Sequence, residues 1–116
     1  MTLAPRQALE LWRRVLLDGL RRATPDLSAR QMALLLQVYL TEPPHTVRGL
    51  ARELAVSKPA VTRGLDRLCE LGLVRRKRDE ADRRSVLVQR TVQGAVFLRD
   101  FGDTAMRVAG ELDEPS

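Results

Sequence analysis

The residues of this chain that could do chemistry are mainly arginines and lysines, and they are concentrated in one stretch. Residues 57–90 contain ten Lys/Arg and five Asp/Glu, a net charge of +5, whereas residues 91–116 carry a net charge of −3. Such a basic stretch is typical of a phosphate-binding surface, although it could also be a solvated surface that keeps the protein soluble. The sequence shows no nucleophile paired with a base, no metal-ligand spacing and no glycine-rich phosphate loop. We therefore expect no enzymatic activity, no catalytic residue, no metal and no cofactor.

A few other residues could be mistaken for a metal or redox site. Asp79, Glu80 and Asp82 lie among arginines in a short polar connection, where turn formation and pairing with arginine are expected. His45 lies in a loop without companion ligands, so we expect it to be exposed to solvent. Cys69 is at the edge of an apolar helix face, the position of a small buried side chain. A single cysteine cannot form an internal disulfide, which agrees with a reducing cytoplasm.

Two short helices, each predicted from a helical pattern of apolar residues, must position the basic residues that precede the hairpin. Apolar residues recur at helical spacing in both: Leu50, Ala51 and Leu54 in the first, and Val61, Leu65 and Leu68 in the second. Thr46 and Ser57 are placed to cap the two helices, and Pro59 falls in the first turn of the second, where its missing N–H does no harm. Ala55 lies in the turn between them, and Gly72 can take a left-handed C-terminal cap.

A basic hairpin follows the second helix. Leu73–Arg78 and Ser85–Arg90 have strand-like patterns, and Asp79–Arg84 is the polar connection between them. The order helix, turn, capped helix and basic hairpin predicts a mainly α (α+β) winged helix-turn-helix with a two-stranded wing.

Helices are expected on both sides of this core. One runs from about Pro5 to Ala23, a capping box at Ser28–Gln31 begins another that ends near Leu40, and a last one follows Thr91. A chain of 116 residues supports a single domain, 1–116, in which residues 24–91 are the core and residues 5–23 and 92–112 form flanking helices. No apolar run is long enough to cross a bilayer and no signal peptide is evident, so we expect a cytoplasmic protein.

The N-terminal half of the second helix carries side chains suited to double-stranded DNA. A recognition helix presents this half to base edges in the major groove, and here it carries Lys58, Thr62 and Arg63. The Arg63 guanidinium can bridge guanine O6 and N7, whereas Thr62 can meet a thymine methyl or a phosphate. Arg83 and Arg84 fall where the tip of a wing would enter the minor groove.

The stretch from Leu50 to Thr91 resembles the MarR family of winged-helix transcription factors. The most specific matches are SKPAVTR at residues 57–63, GLV with Arg76 at residues 72–76, and DRR at residues 82–84. The resemblance implies that Asp82 braces Arg84 in the minor groove, that Ser57 to Arg63 face the major groove, and that Thr46 and Arg67 lie near phosphates. The expected DNA-binding residues are Thr46, Ser57, Lys58, Pro59, Ala60, Thr62, Arg63, Arg67, Arg76, Asp82, Arg83 and Arg84.

The resemblance also implies a homodimeric repressor that binds an inverted repeat. The chain departs from the family in having Arg90-Thr91 where Leu-Thr is usual, and in having only Val92–Ser116 after that pair, a shortened dimerisation region. We therefore expect the two flanking helices to form the dimer, and we expect no small-molecule effector pocket. The expected interface residues are Leu9, Trp12, Leu16, Leu98, Phe101 and Ala105. The alternative is a winged-helix module that binds an acidic protein partner through the same arginines.

Overall fold

The computed structural model describes residues 2–113, which form five helices and three strands. In chain order these are α1 (Pro5–Arg21), α2 (Ala29–Leu40), β1 (His45–Thr46), α3 (Val47–Leu54), α4 (Lys58–Glu70), β2 (Val74–Arg78), β3 (Val86–Arg90) and α5 (Val92–Asp113). The chain divides into two compact units. One is Leu27–Val96, and the other contains the described residues up to Asp26 and from Phe97 onwards. The winged helix-turn-helix predicted from the sequence is confirmed.

The core of the Leu27–Val96 unit lies between α2, α3 and α4. Six of its side chains are completely buried: Leu34, Leu35 and Val38 of α2, and Val61, Leu65 and Leu68 of α4. A Cβ on Gly64 would lie 2.6 Å from Cδ1 of Leu34, so the missing side chain lets α2 and α4 approach closely. This packing fixes which face of α4 is left exposed.

The ends of the helices follow the local signals in the sequence. Ser28 forms the expected capping box with the third residue of α2. The hydroxyls of Thr46 and Ser57 accept hydrogen bonds from backbone amides in the first turns of α3 and α4, at 2.9 and 3.2 Å. Ala55 and Gly72 both have positive φ angles, 55° and 73°. The sequence predicts this conformation for Gly72, whereas Ala55 adopts it without the relief that a glycine would give.

The sheet contains one strand more than the expected two-stranded wing. The strand order is β1-β3-β2, all antiparallel, and in β1 His45 lies opposite Val88. His45 is only 4% exposed, and its Nε2 lies 3.2 Å from the carbonyl oxygen of Thr41. The prediction that His45 is exposed to solvent is wrong, because pairing with β3 draws this residue onto the buried face of the sheet.

Arg90, at the position where the family usually has leucine, attaches the base of the wing to α2. Its Nε and Nη2 donate hydrogen bonds of 2.9 Å to the carbonyl oxygens of Val38 and Thr41. Val38 lies in the last turn of α2 and Thr41 directly follows the helix, so neither carbonyl has a partner within the helix. The guanidinium carbon also lies 5.8 Å from the centre of the Tyr39 ring, within the range of a cation–π interaction.

The Tyr39 hydroxyl forms a second attachment between α2 and the wing. It donates to the carbonyl oxygen of Leu73 at 2.7 Å and accepts from the backbone N–H of Thr91 at 2.9 Å. Gly94 lies against this point, since a Cβ there would be 1.9 Å from the hydroxyl oxygen and 2.2 Å from the Leu73 carbonyl oxygen. Both ends of the hairpin are therefore fixed to the same helix.

In the second unit, α1 packs against the later part of α5. Val15 and Val108 are 7% and 2% exposed, and the Gln7 side chain donates to the carbonyl oxygen of Leu112 at 2.9 Å. Arg14 forms an ion pair with Glu111, and its hydrogen bond holds the pKa of that carboxyl below the ordinary value. None of the helices within residues 2–113 combines the length and the apolar character that crossing a membrane requires.

Candidate nucleic-acid interface

The exposed face of α4 carries the residues that the sequence predicts to read base edges. Lys58, Thr62 and Arg63 are all exposed, because the apolar residues of α4 direct the opposite face into the core. Ala60 is the exception among the expected DNA-binding residues of this helix. It is 6% exposed and belongs to the buried face, so its methyl group is not presented on the surface.

The wing tip is organised by Asp82. One of its carboxylate oxygens accepts from the backbone N–H of Arg84 at 3.1 Å, and the other accepts from the hydroxyl of Ser85 at 3.3 Å. The Arg84 guanidinium lies 3.9 Å from Asp82, and the Arg84 side chain is 93% exposed. Asp82 therefore shapes the backbone from which Arg84 projects, and the guanidinium itself is held only weakly.

A groove of about 200 Å³ lies between the two helices and the wing. Its wall on the α3 side is formed by Thr46, Val47 and Arg48, its α4 side by Lys58 and Thr62, and its wing side by Arg84, Ser85 and Val86. Three of the eight lining residues are cations and none is acidic. The groove is therefore an electropositive site, and an anion could approach it without meeting a carboxylate on its walls.

Arg76 occupies a different place from the other basic residues of the wing. Its Nη1 lies 2.8 Å from Oδ1 of Asp66 on α4. Arg76 lies opposite Val88 in the sheet, so it shares the face that is turned towards the core, whereas Arg75 alternates to the other face. The ion pair connects the wing directly to the predicted recognition helix.

The remaining expected DNA-binding residues are either exposed or used as helix caps. Pro59 and Arg83 are exposed, and the hydroxyls of Thr46 and Ser57 are used as helix caps. Arg67 is exposed and lies 3.5 Å from Glu70. Among the residues that the structure describes, no group of three or more His, Cys, Asp or Glu side chains is arranged to hold a metal ion.

The expected dimer residues differ in exposure between the two flanking helices. On α1, Leu9, Trp12 and Leu16 are 70%, 62% and 56% exposed, and Leu20 extends the same stripe at 65%. On α5, Leu98, Phe101 and Ala105 are half-buried. Phe101 lines a small cavity of about 70 Å³ together with residues of α1, including Val15.

Sequence reasoning did not identify Arg48 as part of this surface. It is exposed in the first turn of α3, on the wall of the groove. One signal was available in the sequence, because a cation in the first turn of a helix opposes the helix dipole and is unfavourable for folding alone. Such a residue is a candidate for function, but only the structure shows that it faces Lys58 and the wing.

Comparisons with known proteins agree with this architecture. The model of the MarR family matches residues 26–85, just over half of the chain. The transcriptional regulator Tm0710 from Thermotoga maritima is 23% identical, with a TM-score of 0.74 over 90% of this chain and 71% of that one. The crystal structure of MarR is 27% identical, with a TM-score of 0.69 over 94% and 81%. The S. aureus MepR–DNA complex is 20% identical, with a TM-score of 0.75 over 88% and 82%. No curated protein sequence gives a significant match.

Proposed function

Because the chain belongs to the MarR family of winged-helix transcriptional regulators, we propose that it is a cytoplasmic repressor that binds a specific inverted repeat in double-stranded DNA as a homodimer. The observation that carries this proposal is the arrangement of the exposed N-terminal half of α4 beside the basic wing, with an electropositive groove between them. Neither helix nor hairpin would need this surplus of cations in order to fold.

In the proposed complex, α4 enters the major groove and the wing tip enters the adjacent minor groove. Arg63 is exposed and takes part in none of the ion pairs among residues 2–113, so its guanidinium is available to guanine O6 and N7. Arg84 projects from the wing tip with 93% of its side chain exposed, as a side chain that enters the minor groove must.

A second copy of the chain is proposed to cover the apolar stripe of α1. Leu9, Trp12, Leu16 and Leu20 are each more than half exposed and recur at helical spacing on one face. A contiguous apolar face of this kind is unfavourable in water and is typical of a subunit interface. Binding of such a dimer to an inverted repeat requires its two α4 helices to reach half-sites about 34 Å apart, one turn of DNA.

The proposal is tested by selecting bound duplexes from a random library with the purified protein. We expect enrichment of an inverted repeat, and Arg63→Ala should weaken binding to it by about 1–3 kcal/mol and relax the preference at one base pair per half-site. Arg75→Ala is the matched control, because it removes the same charge from the other face of the wing. If no sequence is enriched and an acidic protein binds equally well to wild type and Arg63→Ala, the chain is an interaction module instead.

Repression is tested separately with a reporter gene. The selected sequence is placed so that it overlaps the promoter, and expression of the protein should lower transcription. Unchanged or increased transcription, with the protein bound at the site, would contradict the repressor role.

A further inference from the structure

The position of the groove between the helices and the wing determines which part of a bound DNA duplex would lie in it. A sugar–phosphate strand separates each major groove from the adjacent minor groove. If α4 lies in the major groove and the wing tip in the minor groove, this strand must pass between them. The groove lined by Arg48, Lys58 and Arg84 is the space between these two elements.

We infer that this groove holds the sugar–phosphate strand, and that Arg48 and Lys58 bind its phosphates from the helix side. The inference rests on the proposed DNA-binding function and adds to it the binding site for one strand. It makes Arg48 a DNA-binding residue and assigns Lys58 to the backbone instead of to a base edge.

The chemistry of the walls fits a sugar–phosphate strand. Arg48, Lys58 and Arg84 supply positive charge from three different elements, and a phosphate between them would be approached from both sides. The wing side also presents Val86, which is 37% exposed and is a large apolar side chain at the edge of a basic surface. Deoxyribose is the apolar part of the strand, so it can make an apolar contact with Val86 that water cannot make.

Arg48 has no evident role in the folded protein alone. The ion pairs among residues 2–113 involve neither Arg48 nor Lys58. Both residues lie in the first turn of a helix, α3 and α4 respectively, where the helix dipole repels a cation. Two unpaired cations at unfavourable positions, facing the same groove, are explained by an anion that binds between them.

The same geometry separates contacts to the backbone from contacts to bases. Lys58 and Thr62 are one turn apart on α4 and both line the groove, whereas Arg63 does not. Successive residues are about 100° apart around an α-helix, so Arg63 points away from the groove wall that Thr62 forms. Loss of Arg48 or Lys58 should therefore weaken binding to every sequence, and loss of Arg63 should weaken binding mainly to the selected one.

The test measures how the affinity of the full chain for its selected duplex depends on salt. Arg48→Ala should reduce the slope of log K against log[salt] by about one and lower affinity for specific and random duplexes equally, by roughly tenfold. Arg48→Lys should keep the slope. Arg75→Ala, which removes a charge that does not line the groove, should leave the slope nearly unchanged. Thermal unfolding of each variant without DNA verifies that the fold is intact.

Single methylphosphonate substitutions then locate the contact. At one phosphate per half-site, the neutral linkage should weaken wild type and leave Arg48→Ala unaffected, because the contact is already lost. If wild type binds the duplex but Arg48→Ala keeps its slope and affinity, the inference is wrong while the proposed function stands. If wild type selects no duplex, the proposed function itself fails.

Discussion

Neutralising Asp66 and Arg76 tests whether the wing is held against α4 by their ion pair. The pair joins β2 to the exposed side of α4, with 2.8 Å between Nη1 and Oδ1. Sequence reasoning places Arg76 at the DNA. The structure instead engages its guanidinium with a carboxylate, so we expect Arg76 to position the wing relative to the recognition helix.

The expected magnitude follows from the exposure of the two side chains, 33% for Arg76 and 54% for Asp66. Water screens a pair this exposed, so its coupling free energy should be at the upper end of the range for surface pairs, about 0.5–1 kcal/mol. A coupling of ~1 kcal/mol corresponds to about a fivefold change in an equilibrium constant.

The assay is a double-mutant cycle with Asp66→Asn, Arg76→Gln and the double variant. The coupling should appear in the free energy of unfolding without DNA, and it should appear again in the affinity for the selected duplex. Asp66→Asn also removes a negative charge from the proposed recognition helix, which by itself would increase affinity for DNA. Glu70→Gln is the control for that effect, since it removes an exposed carboxylate from the same helix but leaves the Asp66–Arg76 pair in place.

Two results would refute the positioning role. In the first, the free energy of unfolding shows no coupling between the two positions. In the second, Arg76→Gln weakens DNA binding equally with and without Asp66 and lowers the salt slope by about one, as the loss of a phosphate contact would.

Four further predictions concern the rest of the molecule. Gly94→Ala should destabilise the protein by about 1–3 kcal/mol or more in thermal unfolding, because the new methyl group would overlap two oxygens. Gly102→Ala, with nothing within 4 Å of its Cβ, should instead stabilise α5 by up to about 1 kcal/mol. The hydrogen bond with Arg14 lowers the pKa of Glu111. The stability that this pair provides is therefore fully present above the ordinary glutamate pKa. It is lost as the pH falls through the lowered pKa of Glu111. Wild type should thus lose stability relative to Glu111→Gln as the pH falls below the ordinary glutamate pKa, and equal losses would exclude a contribution from the pair. Trp12→Ala should weaken the proposed homodimer in sedimentation experiments, whereas an unchanged dimer would place the interface elsewhere.

Much of the architecture is encoded by residues that are close together in the sequence. The caps at Ser28, Thr46 and Ser57 need only a hydroxyl and an amide three residues later, so they can be recognised from sequence. The buried face of α4 follows from the spacing of its apolar residues, and Gly72 takes the left-handed conformation that a helix end requires. Because these signals are local, the order helix, turn, helix and hairpin was predictable.

The partners of individual side chains were decided only by the tertiary structure. Alternation along β2 predicts that Arg75 and Arg76 lie on opposite faces, but the packing of the hairpin on α4 determines that Arg76 reaches Asp66. His45 is buried because β1 pairs with a strand more than forty residues later in the chain. Arg48 can be recognised as a candidate DNA-binding residue only because the fold brings it to the same groove as Lys58 and the wing. Each of these contacts depends on distances between elements far apart in the sequence, and such distances are set by the packing of the core and not by any local pattern.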